Sequence, residues 1–291
     1  MVEIFAPVRL SSETETYEFF AGLAQKSSMW FLEEITLDFK KTTWFDANLC
    51  AILGAILSKV TETNSVKFVH LNDSVKEIFE RNGFLAHFGG LNQKDNNNTT
   101  IKYRKFKTTD EQSFKLYLDN ELLSKSKLPK MSGLLTKEIN KSIFEIFSNC
   151  VIHSGCHFIF SCGQFFPSKK KLEFTIVDIG TTIKKNVNTF IKNQKFSGIE
   201  SINWATIEGH TTKMGNIPGG LGLSLLREFL KKNEGVLQII SADGFWEQTK
   251  SSINTISMNI EFPGTILNLK FNLNDSSSYR LGTEENLENI F

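Results

Sequence analysis

The apolar residues of this chain change their spacing repeatedly, and that switching most limits what it can fold into. In the first 90 residues, runs with period 2 alternate with runs at the 3.6-residue period of a helix. "VEIFAPVRL", "ITLDF" and "VKFVHL" predict strands. Between them, "SSETETYEFFAGLAQK", "DANLCAILGAILSKV" and "DSVKEIFERNGF" predict helices. A Ser/Thr start marks the first, Asp46 is an expected N-cap for the second, and Gly83 is an expected stop for the third. Strands separated by helices predict a small α/β domain over 1–90. "GGLNQKDNNNTT" has no apolar period and predicts a linker over 91–100.

From Ile101 a second unit follows. "DEQSFKLYLDNELLSK" predicts a helix, Pro129 a break, and "LLTKEINKSIFEIFSNCVIHS" a long helix. "CHFIFSCGQFF" and "LEFTIVDIG" predict a β-hairpin around "PSKKK". Weaker periodicity over 185–220 is expected to form a lid. A helix over 221–235 and strands "VLQIISADG", "SSINTISMNIEF" and "GTILNLKFNL" complete a domain over 101–275. A polar, frayed tail is expected over 276–291, with a short docking helix in "TEENLENIF" as an option.

The chain has 291 residues, is 40% hydrophobic and carries a net charge of +1, which fits a globular protein and argues against a broad nucleic-acid footprint. The 26 Phe residues sit in periodic patterns and are expected to fill cores. No secretory leader and no run long enough to span a membrane is read from the sequence, and four cysteines make no disulfide framework at this length. A cytoplasmic location is the expectation, with no membrane partner.

On the long helix, Ile139, Ile143, Ile146, Phe147 and Cys150 share one apolar face. Glu145 and Asn149 lie about 40° apart on another face, and His153 one step further round. This ladder is either a solvated polar face or a metal–phosphate site. In the second reading an Asn carbonyl oxygen suits Mg²⁺, and a Glu one turn away suits polarising a nucleophile. "VDIGTTI" sets Asp178 at a strand end before Gly180, where a carboxylate can accept from an exocyclic amine. "PGGLGLSLL" sets Gly219, Gly220 and Gly222 at a helix start, where N–H groups and the helix dipole attract phosphate.

Three such motifs in this order resemble the GHKL, or Bergerat-fold, ATP-binding superfamily of gyrases, chaperones, histidine kinases and mismatch-repair ATPases. "EIFSNCVIH" resembles its N-box, "DIGTTI" its first glycine box and "GGLGL" its second, over roughly 130–272. The resemblance implies an α/β sandwich with helices on one face of a mixed sheet. It implies that Asn149 holds Mg²⁺, that Glu145 assists phosphoryl chemistry, and that Asp178 reads the adenine amine with Thr265 nearby. Gly219, Gly220, Leu221 and Gly222 would wrap the phosphates, Lys213 would reach the terminal phosphate from the lid, and His153 would approach a phosphate. Thr182 stands where many members have a second glycine, beside Gly180.

Residues 1–90 resemble the STAS fold of anti-sigma-factor antagonists in pattern. Ala47 and Asn48 follow Asp46, so no hydroxyl occupies that family's phosphorylation position. The two likenesses together imply a Mg-ATP-binding regulatory protein with slow hydrolysis or phosphoryl transfer to a partner protein, as in anti-sigma kinases. The partner would be a STAS-like or other regulatory protein, and a homodimer is allowed. A non-catalytic ATP-gated interaction switch and a DNA-associated ATP clamp are the alternatives. Cys150, Cys156 and Cys162, with His153 and His157 near, are also read against zinc ligation, and buried apolar cysteines are the preferred reading.

Overall fold

Pro7 lacks an N–H and ends the first strand early, so the single expected N-terminal strand is two. The computed structural model describes residues 1–124, 128–192, 194–210, 212 and 221–284. In chain order the N-terminal unit contains β1 (Val2–Phe5), β2 (Arg9–Leu10), α1 (Thr14–Ser27), β3 (Glu34–Asp38) and β4 (Trp44–Phe45). It continues with α2 (Cys50–Val60), β5 (Ser65–Val69) and α3 (Asp73–Arg81). The strands β1, β3 and β5 form a parallel sheet with β3 central, and β2 pairs with β4 separately.

The second part begins with β6 (Thr100–Lys107), α4 (Glu111–Tyr117), β7 (Lys130–Met131) and α5 (Gly133–Asn149). Then come β8 (Phe158–Phe166), β9 (Lys171–Asp178), α6 (Ile183–Ile191), α7 (Gly198–Ala205) and α8 (Leu221–Lys232). The long strands β10 (Val236–Gln248) and β11 (Ile253–Asn272), and the short β12 (Ser278–Tyr279), end the described chain. The class is α/β, as expected. Its main sheet has the order β10-β11-β9-β8-β6, and each neighbouring pair is antiparallel, not mixed. Connectivity accounts for two of these pairs, since β8–β9 and β10–β11 are hairpins, whose strands must run against each other; β9–β11 and β6–β8 are joined across the fold.

This sheet separates two cores. On one face Ile139, Ile143, Ile146 and Phe147 of α5 meet Leu226 and Leu230 of α8 and the inward residues of β9 and β11. Phe114 of α4 stacks on Phe147 with ring centroids 4.5 Å apart. On the other face Phe160, Cys162, Val177, Phe262 and Ile266 share a continuous core with α1 and α2. Residues 50–57 of α2 are all buried, because that helix lies between the small parallel sheet and the large antiparallel one. A helix apolar all round is what such a double-sided position requires.

The seam between the unit of α1 and α2 and the large sheet is polar at its centre. The Ser12 hydroxyl donates to Glu173 at 2.6 Å, and the Asn48 amide donates to Thr175 at 3.0 Å. Tyr17 donates to Gln238 at 2.8 Å, and Asn268 donates to the same oxygen at 2.9 Å. Burial opposes ionisation of Glu173, but Lys270 and Lys171 outweigh it and hold the carboxyl below its usual range. Burial, with Glu173 near, pushes Asp46 up. Asp46 is not the side-chain cap expected of it. Its carboxylate accepts instead from the Trp44 indole at 2.8 Å and the Ser12 N–H at 3.2 Å, and a 3-10 turn at Ala47–Leu49 precedes α2.

The 185–220 segment is more regular than expected, since α6 and part of the lid, α7, are helical. α7 starts with a full capping box between Ser197 and Glu200. In the tail, β12 pairs with β7, and Glu284 accepts from the Ser132 hydroxyl at the start of α5 at 2.8 Å. No helix among the described residues is long and apolar enough to cross a membrane.

Candidate functional site

Helix α5 starts where Ser132 accepts a hydrogen bond from the Leu135 N–H at 3.1 Å. Its apolar stripe then turns toward the sheet, which leaves Glu145 and Asn149 on the flank. Past Asn149 the helix widens into a π-helical turn, Cys150–Ser154, ending at Gly155. Wide turns of this kind are frequent at functional sites. Here the turn carries His153 round to the same flank. Glu145, Asn149 and His153 all line one cleft, which encloses about 1010 Å³ with its open mouth included.

The end of β9 and the middle of β11 form the floor of that cleft. Their register pairs Asp178 with Thr265, so both side chains point to the same side. Asp178 is 1% exposed, and among the described residues its Oδ1 has no hydrogen-bond partner. Burial pushes its carboxyl up to about 7, although the nearby Cys150 thiol and Ser154 hydroxyl pull the other way. The Thr265 and Ser241 hydroxyl oxygens lie 3.2 Å apart, and the Ser241 hydroxyl donates to the Gly264 carbonyl at 2.8 Å.

Two glycines let these segments approach. A Cβ on Gly264 would lie 2.0 Å from the Asp178 carbonyl oxygen, and one on Gly180 would lie 2.4 Å from the Ser154 carbonyl oxygen. Gly180 therefore joins β9 to the end of the α5 turn instead of facing the cleft. The next backbone N–H, of Thr181, donates to that same Ser154 oxygen at 2.6 Å. Thr182 does not face the cleft either. Its hydroxyl accepts from the Lys185 N–H at 3.2 Å and caps α6.

The remaining expected residues divide in two. Leu221 and Gly222 lie in the first turn of α8. Lys213, Gly219 and Gly220 lie outside the described residues. Sequence reasoning missed Cys150 and Ser154 as lining groups, and also Thr181, Trp204, His210 and Thr212. Cys150 was assigned to the buried face, and it serves both the core and the cleft edge. Trp204 had a visible signal, the one Trp in the 185–220 segment. His153 accepts at its carbonyl from Asn186 at 3.0 Å, and its Nδ1 lies 3.3 Å from the Thr212 hydroxyl.

The cysteine spacing does not gather a metal site. Cys150 belongs to the core on the α5 face of the sheet, whereas Cys162 belongs to the core on the α2 face, near Asn82. Among the described residues no group of three or more His, Cys, Asp and Glu side chains is arranged to hold a metal ion.

The arrangement joins a buried acceptor at the floor to an amide and a carboxylate along one wall. Such a cleft suits a ligand that brings a hydrogen-bond donor to the floor and a cation, or a cation-bound group, to the wall. No protein-family model matches the chain, and no curated protein matches it.

Proposed function

We propose that this protein binds Mg-ATP in the cleft and acts as a nucleotide-dependent regulatory protein with slow ATP hydrolysis or phosphoryl transfer. The observation that carries this reading is Asp178, whose Oδ1 is buried at the cleft floor without a partner among the described residues. An unmade hydrogen bond at a buried oxygen costs about 1–3 kcal/mol, and more for a charged group. The exocyclic amine of adenine would supply the missing donor, with Thr265 beside it. The donor set on the wall fits the metal as well. Asn149 offers one neutral oxygen, and Mg²⁺ usually takes few protein ligands and several phosphate or water oxygens.

When bound, Mg²⁺ would offset the negative charge of the phosphates. The chain's own residues would do the rest. Asn149 would orient the metal–phosphate unit. Glu145, one helical turn away, would hold the proton of an attacking hydroxyl or water. Leu221 and Gly222 lie at a helix start, where free N–H groups favour anions.

A second reading has one observation in its favour. Strand β11 bears Thr265 in the cleft, and earlier along its length Met258 and Phe262 pack under the N-terminal helices. Nucleotide occupancy would then be communicated to the N-terminal unit and a protein partner, with Glu145 dispensable.

Incubation with γ-labelled ATP and Mg²⁺ separates the two. The wild type, Glu145→Ala, Asn149→Ala and Asp178→Asn would be compared for binding by calorimetry and for label released or transferred. Catalysis predicts binding by Glu145→Ala with loss of label release, and Mg²⁺-dependent binding lost in Asn149→Ala. The switch predicts binding without release from any form. Failure of the wild type to bind ATP at millimolar concentration with Mg²⁺ rejects both.

A further inference from the structure

The cleft wall opposite α5 comes from α7 and the segment after it, which none of the three motifs covers. Ile202 is fully buried and anchors α7 against the sheet. The Asn203 side chain accepts from the Trp246 indole at 2.8 Å. Arg227 donates to the Thr206 carbonyl. Between these fixed points Trp204 lines the cleft. Phe190 of α6 lies 5.7 Å from its ring and His210 lies 4.8 Å from it, measured between centroids. His210 Nδ1 is also 3.1 Å from the Trp204 carbonyl oxygen. Two rings from separate segments thus hold the indole, yet it stays only half-buried and part of the lining.

The aliphatic part of the lining includes Ile183, Val187, Ile239 and Leu267. Trp204 is the largest aromatic group among the described lining residues, beside the imidazoles of His153 and His210. An aromatic side chain already held in place loses little freedom when a flat ring packs on it.

We propose that Trp204 is the stacking wall for a planar nucleobase and so helps determine that the cleft selects a nucleotide over a bare polyphosphate. This rests on the reading of the cleft as an ATP site. Asp178 would fix the edge of the base and Trp204 its face.

The test is calorimetry with two probes, Mg-ATP and Mg-tripolyphosphate, on wild type, Trp204→Ala and Trp204→Phe. Trp204→Ala should weaken ATP binding by about 5- to 150-fold, the range for losing one base-stacking aromatic group. Its tripolyphosphate affinity should be unchanged, and Trp204→Phe should recover most of the ATP affinity. In a second measurement, ATP should change the tryptophan emission of the wild type and leave that of Trp204→Phe unchanged. Wild-type ATP affinity in Trp204→Ala overturns the inference and leaves the ATP site standing. So does equal loss for both probes, or an emission change retained in Trp204→Phe. A wild type that binds neither probe removes the ATP reading itself.

Discussion

Replacing Asp178 with Asn should stabilise the protein at pH 8, and by an amount that depends on pH in a calculable way. The carboxyl is fully buried, and burial lifts it to about 7. Its value in the unfolded chain is about 4, and each unit of difference is worth about 1.4 kcal/mol. Below pH about 4 both states hold the proton and no penalty exists. As pH rises from about 4 to 7 the unfolded chain releases its proton first, so stability is lost across that window. Above 7 the loss is complete, at about 4 kcal/mol. A neutral amide at the same place escapes it. Constant differences in packing between the two side chains do not vary with pH, so the pH-dependent part isolates the effect. Urea unfolding of both proteins from pH 4.5 to 8.5 should show the advantage of the variant growing by about 3 kcal/mol and levelling near 7. A difference that stays flat, or that shrinks as pH rises, would refute the buried carboxyl raised by its burial and the argument built on it.

Two further substitutions probe the supports of the site. Gly264→Ala would drive a methyl group to 2.0 Å from the Asp178 carbonyl oxygen, with backbone on both sides of the clash. Thermal unfolding should register a loss of about 1–3 kcal/mol or more, and ATP affinity should fall with it. Glu173→Ala would leave Lys171 and Lys270 without their shared buried anion and should cost about 3–5 kcal/mol. Because its carboxyl is held low, that contribution is present at neutral pH and lost as pH falls below about 4, so the two proteins should converge in acid.

Much of the cleft was legible before the fold was known. A helix repeats every 3.6 residues, so spacing alone sets Glu145 and Asn149 off the apolar face of α5. A strand alternates strictly, so "LEFTIVDIG" leads to an Asp at its end. Other features were hidden by local signals that tertiary structure overrode. Pro263 and Gly264 read as a break between two strands, yet β11 runs through both. Irregular register at Ala242 and Gly244 on its partner strand accommodates them. The β6 strand went unread. Its pairing with β8 slips between Ile101 and Arg104, and such a slip spoils strict alternation. Thr182 read as a member of the glycine box, but a Thr before a helix is also an N-cap, and that role prevails here.

Sequence by itself determined most helices other than α6 and α7, most strands and the identity of the polar groups on α5 and at the end of β9. These depend on periodicity and capping within a few residues. Tertiary structure alone decided the antiparallel order of the large sheet and the pairing of Thr265 with Asp178. It also decided the burial of Asp178 and the placing of Trp204 in the cleft. The same holds for the seam where Ser12 meets Glu173, 161 residues away along the chain. Such contacts depend on which surfaces exclude water together, and no local pattern encodes which distant segment completes a buried face.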